Sequence, residues 1–244
     1  MENVKIVIPS HKRWSSLRTT QVVDNAIICV PENQGEMYRR SNPLVEVVTH
    51  PDSVIGLQQK RNWIYKHFGS VFMIDDDISA VRRIYTDRGE PIMMQPKEVY
   101  DLIQHSADVT RQMGIYLFGF ADTPNPTAYN PMKPVQLTGW VNGCAFGLLA
   151  GSGLWWDTNI TCNCDYWISA LNAYKHRMAY LDMRFYFNQV DTFVARGGQA
   201  EHRNLDAEER DFAYLQGVFG SEVITLKKSK NPRHPFQKTL KLPF

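Results

Sequence analysis

Apolar residues in the first eighty positions fall into short unbroken runs, separated by longer stretches of helical period. Lys5–Pro9 (KIVIP), Ala26–Val30 (AIICV), Leu44–Thr49 (LVEVVT) and Val71–Ile74 (VFMI) read as buried strands, the first two stopped by proline. Trp14–Asp24 and Leu57–Phe68 have the length and period of helices. Continuous apolar strands alternating with helices predict a mostly parallel α/β sheet covered on both faces. In such a sheet ligands bind beyond the carboxyl ends of the strands. Each of the four strands runs there into polar sequence: Ser10-His11-Lys12-Arg13, Glu32-Asn33-Gln34-Gly35, His50-Pro51-Asp52 and Asp75-Asp76-Asp77.

The second half is less regular. Pro96–Met113 predicts a helix whose apolar face carries Val99, Leu102, Ile103, Ala107 and Val109. Ile115–Phe120 and Val141–Leu149 read as strands, Tyr166–Lys175 as a helix, and Pro124–Pro134 as a loop. A polar segment opens at Gly197-Gly198, and Pro232–Phe244 is expected to lie extended over the surface. The division this suggests is one domain over 1–226, with halves 1–95 and 96–226, followed by a tail over 227–244.

Composition narrows the class. The 244 residues are 43% hydrophobic and 12% aromatic, enough for a packed core and too much for disorder. The net charge of +2 conceals an asymmetry, because residues 227–244 hold six Lys or Arg and no acid, leaving an acidic body. Cys29, Cys144, Cys162 and Cys164 are too few and too scattered for a disulfide framework and are expected as thiols. The start MENVKIVIPSHKR lacks the pattern of a signal peptide, and the uncharged stretch Pro134–Trp156, with its polar side chains and glycines, is a poor membrane helix. A cytoplasmic chain with no membrane association is expected, and nothing calls for an obligate protein partner.

Asp75-Asp76-Asp77 is the strongest chemical signal. Three adjacent carboxylates repel one another, and a hard divalent cation, completed by substrate phosphates, removes the conflict. The alternative is a solvated acidic turn capping a helix that begins near Ile78.

Over roughly Lys5–His202 the chain resembles the GT-A fold glycosyltransferases, which use nucleotide-sugar donors. KIVIPSHKR is similar to their first strand and the loop under the donor base, GLQQKRNWIYKHF (Gly56–Phe68) to the helix before their metal motif, and VFMIDDDI to the strand with the Asp-x-Asp motif. The resemblance implies Asp77 as direct ligand of Mn²⁺ or Mg²⁺ and Asp75 or Asp76 at the metal shell or the donor ribose. It places Pro9, His11 and Arg13 around base and ribose, and Lys60 or Arg61 near the donor, a UDP-sugar being the first expectation. His202, after the Gly197-Gly198 hinge, stands where many such enzymes close the metal shell with a late histidine. Asp165 stands where inverting members carry the general base at a helix start, although Cys164 replaces the usual Glu; Asp157 is the fallback.

The segment Gly139–Gly153 with Trp140 and Asn142, followed by Trp155 and then Trp167, is implied as the acceptor side. Aromatic faces there suit stacking on sugars or unpaired bases. The tail residues Lys227, Lys228, Lys230 and Arg233 suit phosphate contacts. An acidic body with a cationic end also resembles phage-type DNA glycosyltransferases, which implies double-stranded DNA carrying hydroxymethylated pyrimidines as partner and acceptor. A protein, polysaccharide or small-molecule acceptor, or a binding protein without catalysis, remains open from sequence.

Overall fold

The computed structural model describes residues 2–85, 92–190, 204–227 and 237–241. In chain order the elements are β1 (Lys5–Pro9), β2 (Ala26–Pro31), α1 (Gly35–Ser41), β3 (Glu46–His50), α2 (Gly56–Phe68), β4 (Val71–Ile74), β5 (Ile78–Arg83), β6 (Ile92–Met93) and α3 (Pro96–Gln112). They continue as β7 (Leu117–Phe120), β8 (Val135–Gln136), β9 (Ala145–Leu148), α4 (Cys164–His176), β10 (Tyr180–Asp182), β11 (Phe185–Gln189), α5 (Leu205–Phe219), β12 (Ile224–Leu226) and β13 (Lys238–Leu240).

Eight strands form the central sheet in the order β3-β2-β1-β4-β9-β7-β10-β8. The first four are mutually parallel, β9 lies antiparallel between β4 and β7, β10 is parallel to β7, and β8 closes the far edge antiparallel. The expected α/β class with a mostly parallel sheet and a mixed second half is therefore what the chain adopts. Alternation along the strands splits the core in two. Ile6, Ile8, Phe72 and Ile74 pack with Val99, Leu102 and Ile103 of α3 on one face. Val7, Val71 and Met73 pack with Ile64 of α2, Trp167 and Leu171 of α4 and Leu215 of α5 on the other. Gly147 in β9 lets the Phe118 ring lie on the backbone, since a Cβ there would stand 1.9 Å from the ring. A smaller antiparallel sheet, β11-β5-β6, grows from the end of β4, and β12 pairs with β13.

Two local expectations are corrected. Trp14–Asp24 is not a helix: it holds one 3-10 turn, Thr19–Gln21. Its polar groups serve the acidic turn instead, with Thr19 Oγ1 donating to Asp75 O (2.5 Å) and accepting from Ile78 N (3.0 Å), and Arg18 N donating to Asp76 O (3.0 Å). The Pro232–Phe244 segment is not wholly a surface tail either. Its residues 238–240 form β13, and Lys238 is buried, because its ammonium donates to Asn163 Oδ1 (2.9 Å) and Glu208 Oε2 (2.8 Å). A boundary after residue 226 thus cuts through the fold. Among the described residues no helix is long and apolar enough to cross a membrane.

Candidate active site

The carboxyl ends of β1, β2 and β4, with the start of α2 and the start of α4, surround a cleft of about 660 Å³. Pro9, His11, Arg13, Lys60, Arg61, Asp75, Asp76, Asp77, Trp140, Asn142 and Asp165, all singled out from sequence, line it. The topology explains the convergence: parallel strands deliver their following loops to one edge.

The three acids occupy three different environments. β4 stops at Ile74, so they lie in a tight turn and not along a strand with alternating faces. Asp76 is held by Arg13 Nη1 (2.7 Å) and Ser10 Oγ (2.5 Å), and Ser10 Oγ also lies 2.8 Å from the Tyr38 hydroxyl of α1. Arg13 is therefore a clamp on the acidic turn; burial alone would lower its pKa, but the contact with Asp76 raises it. Asp75 meets the buried Arg61 at 3.6 Å and accepts from Gln189 Nε2 (3.1 Å). Desolvation pushes its carboxyl up to about 8 against the pull of Arg61, with Asp77 and Asp76 adding to the rise. Asp77 is also raised by desolvation, with the Gln189 amide opposing, and its buried Oδ1 has no hydrogen-bond partner.

That last atom bears on the metal. A buried carboxylate oxygen without a donor is a costly feature that a bound group relieves. Oxygen donors are what Mg²⁺ or Mn²⁺ select. Among the described residues no three His, Cys, Asp or Glu side chains converge into a ready cage. Asp77 Oδ1, with Asp75 on the same turn, is the oxygen donor that such a cation would take. His202 and the Gly197-Gly198 hinge lie outside the described residues, as do Lys228, Lys230 and Arg233.

The donor-side cations are less free than their sequence suggests. Lys60 is buried, donates to Ser10 O (2.6 Å), and is driven down to about 8 by desolvation. Arg61 donates to Cys164 Sγ (2.9 Å) and Gly143 O (2.7 Å) and lies over the Phe146 ring. The Cys164 thiol is pushed up to about 11 by burial, so this position gives Arg61 a neutral partner. His11 Nδ1 lies 3.1 Å from Gln34 Nε2, and Gln34 Oε1 accepts from Lys12 N (2.8 Å), which fixes the β1 loop on the β2 loop.

Asp165 opens α4 and packs against Gly143, where a Cβ would come within 3.0 Å of its own Cβ. What sets its position is a feature the sequence reading missed. Asp211 of α5, 1% exposed, accepts from the backbone N–H of Thr161, Cys162 and Asn163 (3.0, 2.6 and 3.0 Å) and from Asn163 Nδ2 (3.1 Å). A signal was present: Ala207, Asp211 and Leu215 recur at a spacing of four on the buried face of α5, and an acid in an apolar stripe implies a buried carboxylate with partners.

Three sequence-derived candidates fall elsewhere. Trp167 is 3% exposed and packs on Tyr214 and Phe219 in the core, two residues past Asp165 and thus turned to the inner side of α4. Trp155 is partly exposed beside Lys175, and its carbonyl accepts from Trp167 Nε1 (2.7 Å). Neither lines the cleft. Asp157 caps a turn, accepting from Asn159 N (2.8 Å) and the Tyr214 hydroxyl (2.9 Å). Trp140 and Asn142 do line it, Trp140 against Tyr166 with ring centroids 5.6 Å apart. Ser10, Asn33, Gln34 and Asp52, from the polar runs that follow β1, β2 and β3, also line it, as does Gln189, which the sequence reading passed over. All four cysteines are buried free thiols, as expected.

The family model for TET-Associated Glycosyltransferase (TAGT) matches residues 4–198. The crystal structure of S. aureus TarS 1-349 is similar with a TM-score of 0.47 and 9% identity, covering 91% of this chain and 73% of that one. No curated protein sequence matches.

Proposed function

This chain belongs to the TET-associated glycosyltransferase family, and on that premise we propose that it moves a sugar from a nucleotide-sugar donor to the hydroxymethyl group of a modified pyrimidine in DNA, with inversion. The observation that carries the site assignment is Asp77 Oδ1, a buried acceptor without a donor on the rim of the cleft, beside the second desolvated carboxylate Asp75.

The donor diphosphate lies over the ends of β1 and β4, its nucleoside toward Pro9, His11 and the β2 loop. A divalent cation at Asp75 and Asp77 would supply Lewis-acid stabilisation of the departing diphosphate. Arg13 and Ser10 keep Asp76 in place, so that the turn presents its other two acids in a fixed geometry. Asp165 takes the proton of the acceptor hydroxyl as its oxygen attacks the anomeric carbon from the face opposite the diphosphate. Trp140, against Tyr166, offers the aromatic wall on which an unpaired base stacks. The TET association in the family's description supports a modified-pyrimidine acceptor over a polysaccharide.

Radiolabelled UDP-, GDP- and CMP-sugars offered with hydroxymethylated DNA test the reading, alongside thermal shifts with nucleoside diphosphates with and without Mn²⁺. A ligand that binds only the folded form raises the melting temperature. Transfer to DNA with one donor supports the proposal; transfer only to another acceptor class overturns it. The contribution of the basic segment is to be tested by substituting Lys228, Lys230 and Arg233. Truncation after Leu226 would also remove Lys238 and so confound lost affinity with lost structure.

A further inference from the structure

The small sheet leaves one arginine uncommitted. β5 and β11 are antiparallel with Tyr186 opposite Arg82, and Arg82 is opposite Met93 on β6. Residues directly opposite in antiparallel pairs share a face, so Tyr186, Arg82 and Met93 form one row. The other face carries Val81 and Phe187 into the core. The row is half-buried at Tyr186 and Arg82 and open at Met93. Two neighbouring arginines are neutralised: Arg83 by Glu98 (2.6 Å) and Arg184 by Asp182 (2.7 Å). Arg82 has no ion pair among the described residues, and its buried Nε has no hydrogen-bond partner.

The row leads back to the acidic turn. The next pair on the same face is Ala80 and Asn188, and beyond it Val190 N donates to Asp77 O (3.3 Å) where β5 begins. Along β11 Tyr186 is three residues, about 10 Å, from Gln189, which touches Asp75. A guanidinium with unused donors beside a phenol, on the wall that leads away from the reacting end, matches a phosphodiester in charge and in fork geometry.

We propose that Arg82, with Tyr186 beside it, anchors the acceptor strand by a phosphate next to the modified pyrimidine. The inference rests on the DNA reading above and adds the subsite that holds the strand. It makes Arg82 a binding residue whose charge enters the salt dependence of DNA affinity.

The test is the affinity of full-length protein for a duplex oligonucleotide carrying one 5-hydroxymethylpyrimidine, measured over a range of salt concentrations. Arg82→Gln is expected to weaken binding about tenfold and to lower the salt slope by about one, whereas Arg82→Lys keeps the slope. Melting temperature checks folding, and Arg82→Met, which keeps the aliphatic stem, replaces the Gln variant if that one is destabilised. An unchanged slope in a folded charge-removing variant overturns the anchor while leaving the DNA reading intact. No measurable DNA affinity in the unaltered protein sinks the DNA reading, and the anchor with it.

Discussion

Two buried aspartates, one on α5 facing the loop before α4 and one in the turn after β4, are treated in opposite ways. Asp211 is 1% exposed and meets four N–H donors from three consecutive residues. Asp77 is 6% exposed, yet one of its oxygens meets nothing, and its neighbour Asp76 adds negative charge. Burial therefore does not separate structural from functional carboxylates here; saturation does. A satisfied buried acid shapes a loop, and an unsatisfied one is stabilised only when something binds.

The contrast breaks most visibly at Asp211. Asp211→Ala is expected to cost about 3–5 kcal/mol in urea unfolding, because it leaves buried N–H groups without an acceptor and the loop before α4 without its anchor. Asp77→Ala should do the reverse: transfer falls at least about 100-fold, while the melting temperature without cation stays or rises. Equal destabilisation by the two substitutions would erase the distinction. Lys238→Met comes next, at about 2 kcal/mol, since Glu208 and Asn163 lose the ammonium between them. The mildest expectation concerns pH. Asp75 has a folded pKa raised from the ordinary value of 3.8 to about 8, so the folded state holds the proton that the unfolded state gives up. Stability in the absence of divalent cation should then decline as pH rises through that window, and the decline should shrink in Asp75→Asn. Melting curves from pH 4 to 8, with and without Mn²⁺, read this directly.

The parallel strands and the acidic turn were legible because each rests on local pattern: an apolar run, a proline stop, three acids. The segment Trp14–Asp24 was misread as helix because its period was right while its hydrogen bonds go to Asp75, Asp76 and Ile78, more than fifty residues away. Trp155 and Trp167 were assigned to the acceptor side on residue type; which face of α4 turns inward depends on α5, which the sequence does not pair with it. Lys238 was counted with a basic run, and only its partners Glu208 and Asn163 reveal a buried cation. Charge runs describe composition, whereas burial of one member is a tertiary fact.

The position of Lys238 has a consequence for biogenesis. Its ammonium reaches back 75 residues to Asn163, and its carbonyl takes the hydroxyl of Tyr166 at 2.9 Å. A nascent chain that has emerged only through β12 already holds every strand of the main sheet, but one wall of the cleft still lacks its fastener. Catalytic competence should therefore appear late and abruptly during synthesis, well after the bulk of the protein has become compact.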